Sequence, residues 1–186
     1  MSPSPRLNST PIKMVNEQDR EQLRLAVSLA HEALKAGDAP FGSVLVSSGN
    51  KVLQTDRNRT VTGSDSDGRP DATLHPEFTL ARWAQLNLSA EERKASTVYT
   101  SGEHCAMCSA AHAWCGLGRI VYVSSTEQLE AWKKEFGVEA PVSPLSINQV
   151  APGLQVEGPV EDLAKEVYQF HVENWTGKGF ESKSKA

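Results

Sequence analysis

Helix-like and strand-like segments alternate along this chain after an opening hairpin, and this alternation limits the possible folds more than any other feature. Apolar residues recur at helical spacing in five segments, and short apolar or alternating runs typical of strands lie between them. Strands that alternate with helices predict a single layered α/β domain. The helical segments are 17–36, 76–88, 105–117, 127–136 and 160–175, and the strand segments are 41–47, 51–55, 96–101 and 120–123.

Both ends of the chain are polar and carry no clear periodicity. Residues 1–15 are rich in Pro and Ser, which predicts a flexible N-terminal arm, and 177–186 are predicted as a flexible tail. We expect one domain over 16–176, because 186 residues suffice for one full core and are too few for two. Within it, 56–74 is a long aperiodic segment, and such loops are usually functional or disordered.

The composition and charge of the chain limit its expected cellular location and its expected classes of binding partner. The longest apolar runs are only a few residues, so no membrane span and no membrane partner are expected. The N-terminus lacks the apolar core of a secretory signal, and we therefore expect a cytoplasmic protein. Lys and Arg total 19 against 23 Asp and Glu, a net charge of −4 that disfavours a nucleic-acid partner.

Two short motifs stand at the starts of two predicted helices. Cys105 and Cys108 form a C-x-x-C pair after a strand, and His75 lies two residues before Glu77 after the long loop. Without a secretory signal, the cysteine pair favours metal binding or thiol chemistry over a disulfide. One imidazole and two thiolates suit Zn²⁺, and three protein ligands leave the fourth tetrahedral position open to water. The motifs together predict a catalytic zinc site.

Glu77 is expected beside the metal and not as a ligand. The side chains of His75 and Glu77, two residues apart, could not both point at one ion without strain. A carboxylate in that place can accept a proton from activated water and deliver it to a leaving amine. Each motif alone has a simpler interpretation. The cysteines could pack as small hydrophobic residues, and Glu77 could be a solvated carboxylate in a first helical turn. The coincidence of both motifs favours the metal site.

Four stretches carry a resemblance to a known family. APFGSVLV at 39–46 looks like its PFGAVLV strand, and Asn58-Arg59 matches its asparagine after the second strand. DATLHPE at 71–77 looks like DPTAHAE, and TSGEHCAMC at 100–108 looks like TSCEPCPMC. On these residues the chain resembles the zinc-dependent cytidine and nucleobase deaminase superfamily, whose H-x-E and P-C-x-x-C signature is specific.

The resemblance implies a three-layer α/β sandwich, with a central mixed sheet and helices on both faces. It implies that His75, Cys105 and Cys108 bind Zn²⁺, that Glu77 moves protons and that Asn58 hydrogen-bonds the base. Phe41 and Trp114 are expected to contact the substrate, although a helix tryptophan at this spacing is more often part of a core. His104 stands where the family has proline, and we expect it near the metal without binding it. Pro76 replaces a small residue, which a first helical turn accepts.

The substrate implied is a small base or nucleoside. The stretch 110–114 and the final helix, with Phe170, His171 and Trp175, are similar to guanine deaminases and their cytosine-deaminase relatives. Guanine is therefore the first choice and cytosine the next. A tRNA adenosine deaminase and a non-catalytic zinc-binding subunit stay open as alternatives. The acidic charge disfavours the first and the presence of Glu77 the second.

A homodimer is expected, because this branch of the family is typically dimeric. Trp83, Trp132 and the final helix offer apolar surface for pairing, although scattered exposed aromatic residues are also normal on monomers.

Overall fold

The structure is a computed structural model that describes residues 15–64, 66 and 68–177. Seven helices and five strands lie in this part of the chain. In chain order they are α1 (Glu17–Ala36), β1 (Gly42–Val46), β2 (Val52–Arg57), α2 (Pro76–Asn87), α3 (Ala90–Ala95), β3 (Thr97–Gly102), α4 (Ala106–Trp114), β4 (Arg119–Ser124), α5 (Thr126–Phe136), α6 (Ile147–Val150), β5 (Val156–Glu157) and α7 (Glu161–Thr176).

The strands form one mixed sheet in the order β2-β1-β3-β4-β5. The predicted hairpin is confirmed, since β1 and β2 pair antiparallel. β1 also pairs antiparallel with β3, whereas β3 with β4 and β4 with β5 are parallel. The start of β1 therefore lies beside the ends of β2 and β3, which brings three chain segments to one edge of the sheet.

Both faces of the sheet are covered by helices, as predicted. Alternate residues of β1 point to opposite faces: Val44 and Val46 pack with α1 and α7, and Leu45 packs with α2. Small buried residues, Ala26 and Ala30 of α1 and Ala81 and Ala84 of α2, belong to these packed layers. The result is the three-layer α/β sandwich expected from the sequence.

Local signals explain where α1 begins and ends. The Asn16 side chain accepts a hydrogen bond from the backbone N–H of Asp19, and the Asp19 carboxylate accepts one from the N–H of Asn16. At the other end, Gly37 adopts φ 93°, a left-handed conformation that glycine reaches without steric cost. These two residues give α1 the bounds predicted from the sequence.

The sequence patterns missed three short elements. α3 is a six-residue helix that was not predicted, and the segment 137–159, expected to be irregular, contains α6 and β5. Such short elements carry too few residues to show a period. β5 consists of two residues that pair with β4, so only the neighbouring strand defines it.

The predicted arm and tail lie outside the described residues, apart from Val15 and Gly177. In the part of the chain that the structure covers, no helix combines the length and the apolar character needed to cross a membrane.

Candidate active site

The residues singled out by the sequence motifs meet at the sheet edge where β1 begins and β2 and β3 end. His75 is the N-cap residue of α2 and Cys105 is the N-cap residue of α4, and neither side chain caps its helix. Both side chains are therefore free to point away from their helices. Glu77 lies in the first turn of α2, and Cys108 lies in the first turn of α4.

His75, Cys105 and Cys108 form a tight cluster of three donor atoms. His75 Nδ1 lies 3.7 Å from each sulfur, and the two sulfurs are 3.6 Å apart. Ligands at zinc bond lengths of about 2.3 Å for sulfur and 2.0 Å for nitrogen, in tetrahedral directions, would lie about 3.5–3.8 Å from one another. The donor set and its spacing therefore fit Zn²⁺. Within the described ranges no fourth Cys, His, Asp or Glu joins this cluster.

The electrostatics of the cluster also suit a cation. Hydrogen bonding with Cys108 lowers the pKa of the Cys105 thiol to about 4, and the His75 imidazole acts in the same direction. The same contact with Cys105, together with burial, raises the pKa of Cys108. A thiolate at Cys105 thus makes ionisation of the neighbouring Cys108 thiol less favourable. Two thiolates together need a positive partner, and a bound Zn²⁺ supplies that charge.

Glu77 stands next to the cluster and is almost fully buried. Its Oε2 lies 3.6 Å from Cys108 Sγ, and its Oε1 accepts a hydrogen bond from the Thr100 hydroxyl at 3.0 Å. Burial raises the pKa of the Glu77 carboxyl, and the charge on His75 offsets part of that rise. A buried carboxyl of raised pKa beside a metal site is placed to take up a proton and to release it again.

Asn58 follows β2 and is 2% exposed. Its Oδ1 accepts hydrogen bonds from the backbone N–H and the hydroxyl of Thr60, at 3.0 and 2.8 Å. Since a backbone N–H can only donate, this contact fixes which end of the amide is oxygen. The Nδ2 group remains as a donor. Backbone bonds from Asn58 to Phe41 and from Arg59 to Leu74 hold this residue near both β1 and His75.

Phe41 precedes β1 and packs over the end of β3. A Cβ added at Gly102 would lie 2.9 Å from Phe41 Cε1, which is closer than real Cβ contacts. Glycine at this position therefore gives the ring its place on the strand. The Phe41 ring also meets His171 of α7 edge-on, with ring centres 5.1 Å apart. The final helix thus reaches the same sheet edge as the metal cluster.

Trp114 is placed away from the cluster. It is the last residue of α4, nine residues after Cys105, which is about 13 Å along a helix axis. Its side chain is 89% exposed, so the core interpretation is wrong. A position in the wall of a base pocket within this chain receives no support from this geometry.

His104 is fully buried and lies outside the group of three donors. Its ring meets His112 edge-on, with ring centres 5.4 Å apart. Neither ring nitrogen of His104 has a hydrogen-bond partner in the described part of the chain. Burial, followed by the neighbouring His112, keeps the pKa of His104 well below its usual value, so the ring is neutral.

Three polar residues that support the site were not singled out from the sequence. Asp38, fully buried, accepts hydrogen bonds from the backbone N–H groups of Val61 and Thr62, which fixes the start of the long loop. Glu103 accepts from the first backbone N–H groups of α5 and α6. Thr100 contacts Glu77. In the sequence, Thr100 and Glu103 belong to the motif at 100–108, which did not indicate a role for either residue, and Asp38 belongs to no motif.

The chain is similar in sequence to several deaminases. A probable cytosine deaminase from Schizosaccharomyces pombe is 31% identical over 157 residues, which cover 81% of this chain and 90% of that protein. Guanine deaminase from Bacillus subtilis is 34% identical over 111 residues, which cover 59% of this chain and 67% of the relative. A tRNA-specific adenosine deaminase from Haemophilus influenzae is 29% identical over 113 residues, covering 61% and 62% of the two chains.

A solved structure of guanine deaminase from Nitrosomonas europaea has the same fold. It superposes with a TM-score of 0.63 at 17% identity, covering 91% of this chain and 90% of that one. The family model for the cytidine and deoxycytidylate deaminase zinc-binding region matches residues 16–124, more than half of the 186 residues. With His75, Cys105 and Cys108 arranged for Zn²⁺, this chain belongs to the zinc-dependent cytidine and deoxycytidylate deaminase family.

Proposed function

We propose that this protein is a hydrolytic deaminase that removes an exocyclic amine from a small nucleobase or nucleoside, with guanine as first choice and cytosine next. The observation that carries the proposal is the buried Glu77 carboxylate, whose Oε2 lies 3.6 Å from Cys108 Sγ in a cluster of three zinc-type donors. A purely structural zinc site is normally closed by a fourth ligand and has no use for a buried carboxylate beside it.

Each residue has a separate task in this reaction. His75, Cys105 and Cys108 would hold Zn²⁺, which when bound makes water acidic enough to react near neutral pH. Glu77 takes up a proton at its carboxylate and passes it to the amine. A C–O bond forms at the amidine carbon, the C–N bond breaks, and the amine leaves as ammonia. Asn58 presents its Nδ2 group to an acceptor atom of the base.

The choice of a small substrate rests on the charge of the chain and on the aromatic surroundings of Phe41. A net charge of −4 is unfavourable for contacts to many phosphates. Phe41, which lies against Gly102 and His171, offers an aromatic edge at the site against which a flat base can pack. The final helix takes part in this wall, in keeping with the guanine-type choice. A free base as substrate also agrees with the cytoplasmic location expected from the sequence.

The test is ammonia release from a panel of guanine, cytosine, adenine and their nucleosides, using the zinc-loaded protein. We expect turnover of at least one free base or nucleoside. Glu77→Gln should keep the zinc and the fold but lower turnover by at least about 100-fold, since it removes the proton-transfer group. Glu91→Gln, which changes an exposed glutamate on α3, is the matched control and should retain turnover. Near-normal turnover in Glu77→Gln would refute the mechanism.

A second arm of the experiment separates a small base from a polymer. Turnover of a free base should change little between about 50 and 200 mM salt, whereas a tRNA held through several phosphates would lose affinity steeply over that range. Activity on tRNA with a steep salt dependence, and none on any base or nucleoside, would replace the proposed substrate class. The metal site would be unaffected by that result.

We also propose that the protein acts as a homodimer. Trp114 and Leu86 are 89% and 69% exposed, and such side chains offer apolar surface to a second copy, in addition to the partly exposed Trp83 and Trp132. Light scattering at micromolar concentration should give twice the 20.2 kDa mass of the chain. A mass of one chain would contradict the proposal.

A further inference from the structure

Three buried polar groups form a line that ends at Glu77. The Ser43 hydroxyl donates to Thr100 Oγ1 at 2.9 Å, and the Thr100 hydroxyl donates to Glu77 Oε1 at 3.0 Å. Ser43 and Thr100 are both fully buried, and Glu77 is 5% exposed. Burying polar groups this deeply costs free energy unless they are hydrogen-bonded, and these hydrogen bonds therefore hold the three side chains in one arrangement.

The sheet register brings these groups together. Ser43 of β1 lies directly opposite Thr100 of β3 in the antiparallel pair. Both residues point to the face covered by α2 and α4, because Leu45 and Val98, two residues away on each strand, pack in that layer. Glu77 lies in the first turn of α2, on the same face. Two paired inner strands of the sheet therefore hold the hydroxyls.

The number of protons gives the line a direction. Each hydroxyl carries one hydrogen, and a carboxylate can only accept. With Glu77 ionised, the Thr100 hydrogen points to Oε1, and Thr100 then receives the hydrogen of Ser43. Among the described residues, the Thr100 hydroxyl also lies 3.5 Å from the Gly42 carbonyl, and this longer contact is the weaker one. The favoured arrangement therefore runs from Ser43 through Thr100 to Glu77.

We infer that Thr100, supported by Ser43, is a positioning residue that holds Oε1 of Glu77 and so keeps Oε2 turned toward Cys108 Sγ. This inference rests on the proposed function for its catalytic consequence. The carboxylate is the group that must receive and release a proton at a fixed place. A carboxylate free to rotate about its last bond would spend part of its time turned away from the reacting atoms.

Ser43 adds to the support of Glu77 through Thr100. The strand motif that the chain resembles, PFGAVLV, has alanine where this sequence has Ser43. Alanine would leave the Thr100 hydroxyl without its buried donor. The Ser43 hydroxyl contacts Thr100 across the strand pair and does not itself touch Glu77. Removing it should therefore weaken the hold on Glu77 less than removing Thr100 itself.

The test compares kcat and KM of zinc-loaded variants on the base that the wild-type protein deaminates. Thr100→Val replaces the hydroxyl with a methyl group and should lower kcat by about 10- to 100-fold, the loss expected for one hydrogen bond to a charged group. KM and zinc content should stay within about twofold, because Thr100 is assigned no contact with substrate or metal. Thr100→Ser keeps the hydroxyl and should restore most of kcat. Ser43→Ala should fall between wild type and Thr100→Val.

Ser96→Ala is the matched control. It removes another buried hydroxyl, which donates to the Arg93 carbonyl just before the start of β3 and has no contact with Glu77. Its kcat should be that of the wild type. A Thr100→Val protein with wild-type kcat would overturn the inference. Equal losses in Thr100→Ser and Thr100→Val would also overturn it, because the hydroxyl would then not be the active feature.

A structural measurement decides the inference without any substrate. In a crystal structure of Thr100→Val, the Glu77 carboxylate should be rotated or occupy two orientations, whereas Thr100→Ser should keep one. A single unchanged orientation in Thr100→Val would refute the positioning role even if no substrate were found. If Thr100→Val does not fold, Ser43→Ala carries the same comparison. Failure of the base panel with a rotated carboxylate would reject the proposed function alone.

Discussion

The stability of this protein should depend on pH through His171, a histidine buried in an aromatic cluster. The residue is 2% exposed and contacts the rings of Phe41, Trp132 and Trp175, with ring centres 5.1, 5.9 and 5.2 Å away. Its Nε2 has no hydrogen-bond partner among the residues that the structure covers. Burial, with a further contribution from the charge of Lys133, lowers the pKa of His171 to about 3.

The sign and size follow from linkage. The folded state keeps His171 neutral, whereas the unfolded chain takes up a proton as the pH falls below about 6.5. Above pH 6.5 His171 is neutral in both states and does not lower the free energy of unfolding. As the pH falls from 6.5 toward 3, protonation of the unfolded chain progressively lowers that free energy. Between pH 7 and pH 5 the loss from this one residue is about 2 kcal/mol.

Replacing the ring by one that cannot titrate isolates the effect. His171→Phe keeps an aromatic side chain, and its free energy of unfolding should fall by about 2 kcal/mol less than that of the wild type between pH 7 and pH 5. Urea unfolding at saturating zinc measures this, because metal loss and the other buried histidines, His104 and His112, affect both proteins alike. Val172→Ala, which removes no titratable group from α7, should retain the wild-type dependence. Equal losses in the wild type and His171→Phe would refute the reasoning.

Three further predictions concern the metal, the long loop and the core. The purified protein should hold about one zinc per chain by elemental analysis, and Cys105→Ser should release it; full retention would contradict the ligand assignment. Asp38→Ala should speed amide hydrogen exchange at Val61 and Thr62 by at least about tenfold, since both amides lose their buried acceptor; unchanged exchange would show that other contacts hold the loop. Ile120→Ala, at a fully buried position of β4, should lower the unfolding free energy by about 2–5 kcal/mol in urea titrations, and a loss below 1 kcal/mol would contradict the packing.

The sequence determined the long elements because their signals are local. Asn16 and Gly37 delimit α1 through contacts within one or two turns, and hydrophobic spacing was enough to locate the longer helices and four of the five strands of the sheet. The residues that carry the donor atoms of the metal site were also identified by local sequence signals. His75 and Cys105 each begin a helix, and a motif of a few residues carries the chemistry of each.

Only the tertiary structure decided how these parts meet. The distances among His75, Cys105 and Cys108 depend on two helices that pack on the same face of the sheet, and no spacing in the sequence specifies that packing. Trp114 is a second example of what sequence spacing cannot specify. Its position in the chain did not indicate that it is 89% exposed.

The contact of Thr100 with Glu77 and Ser43 belongs to the same class. It joins residues 23 and 57 positions apart in the chain, and it exists because strand register sets two hydroxyls opposite each other beneath the start of α2. Local propensity and motif spacing act over a few residues, whereas hydrogen bonds between buried polar groups require the whole core to exclude water around them. The sequence therefore predicted which atoms could perform the chemistry, and the packing of the sheet and its helices decided which neighbours hold them in place.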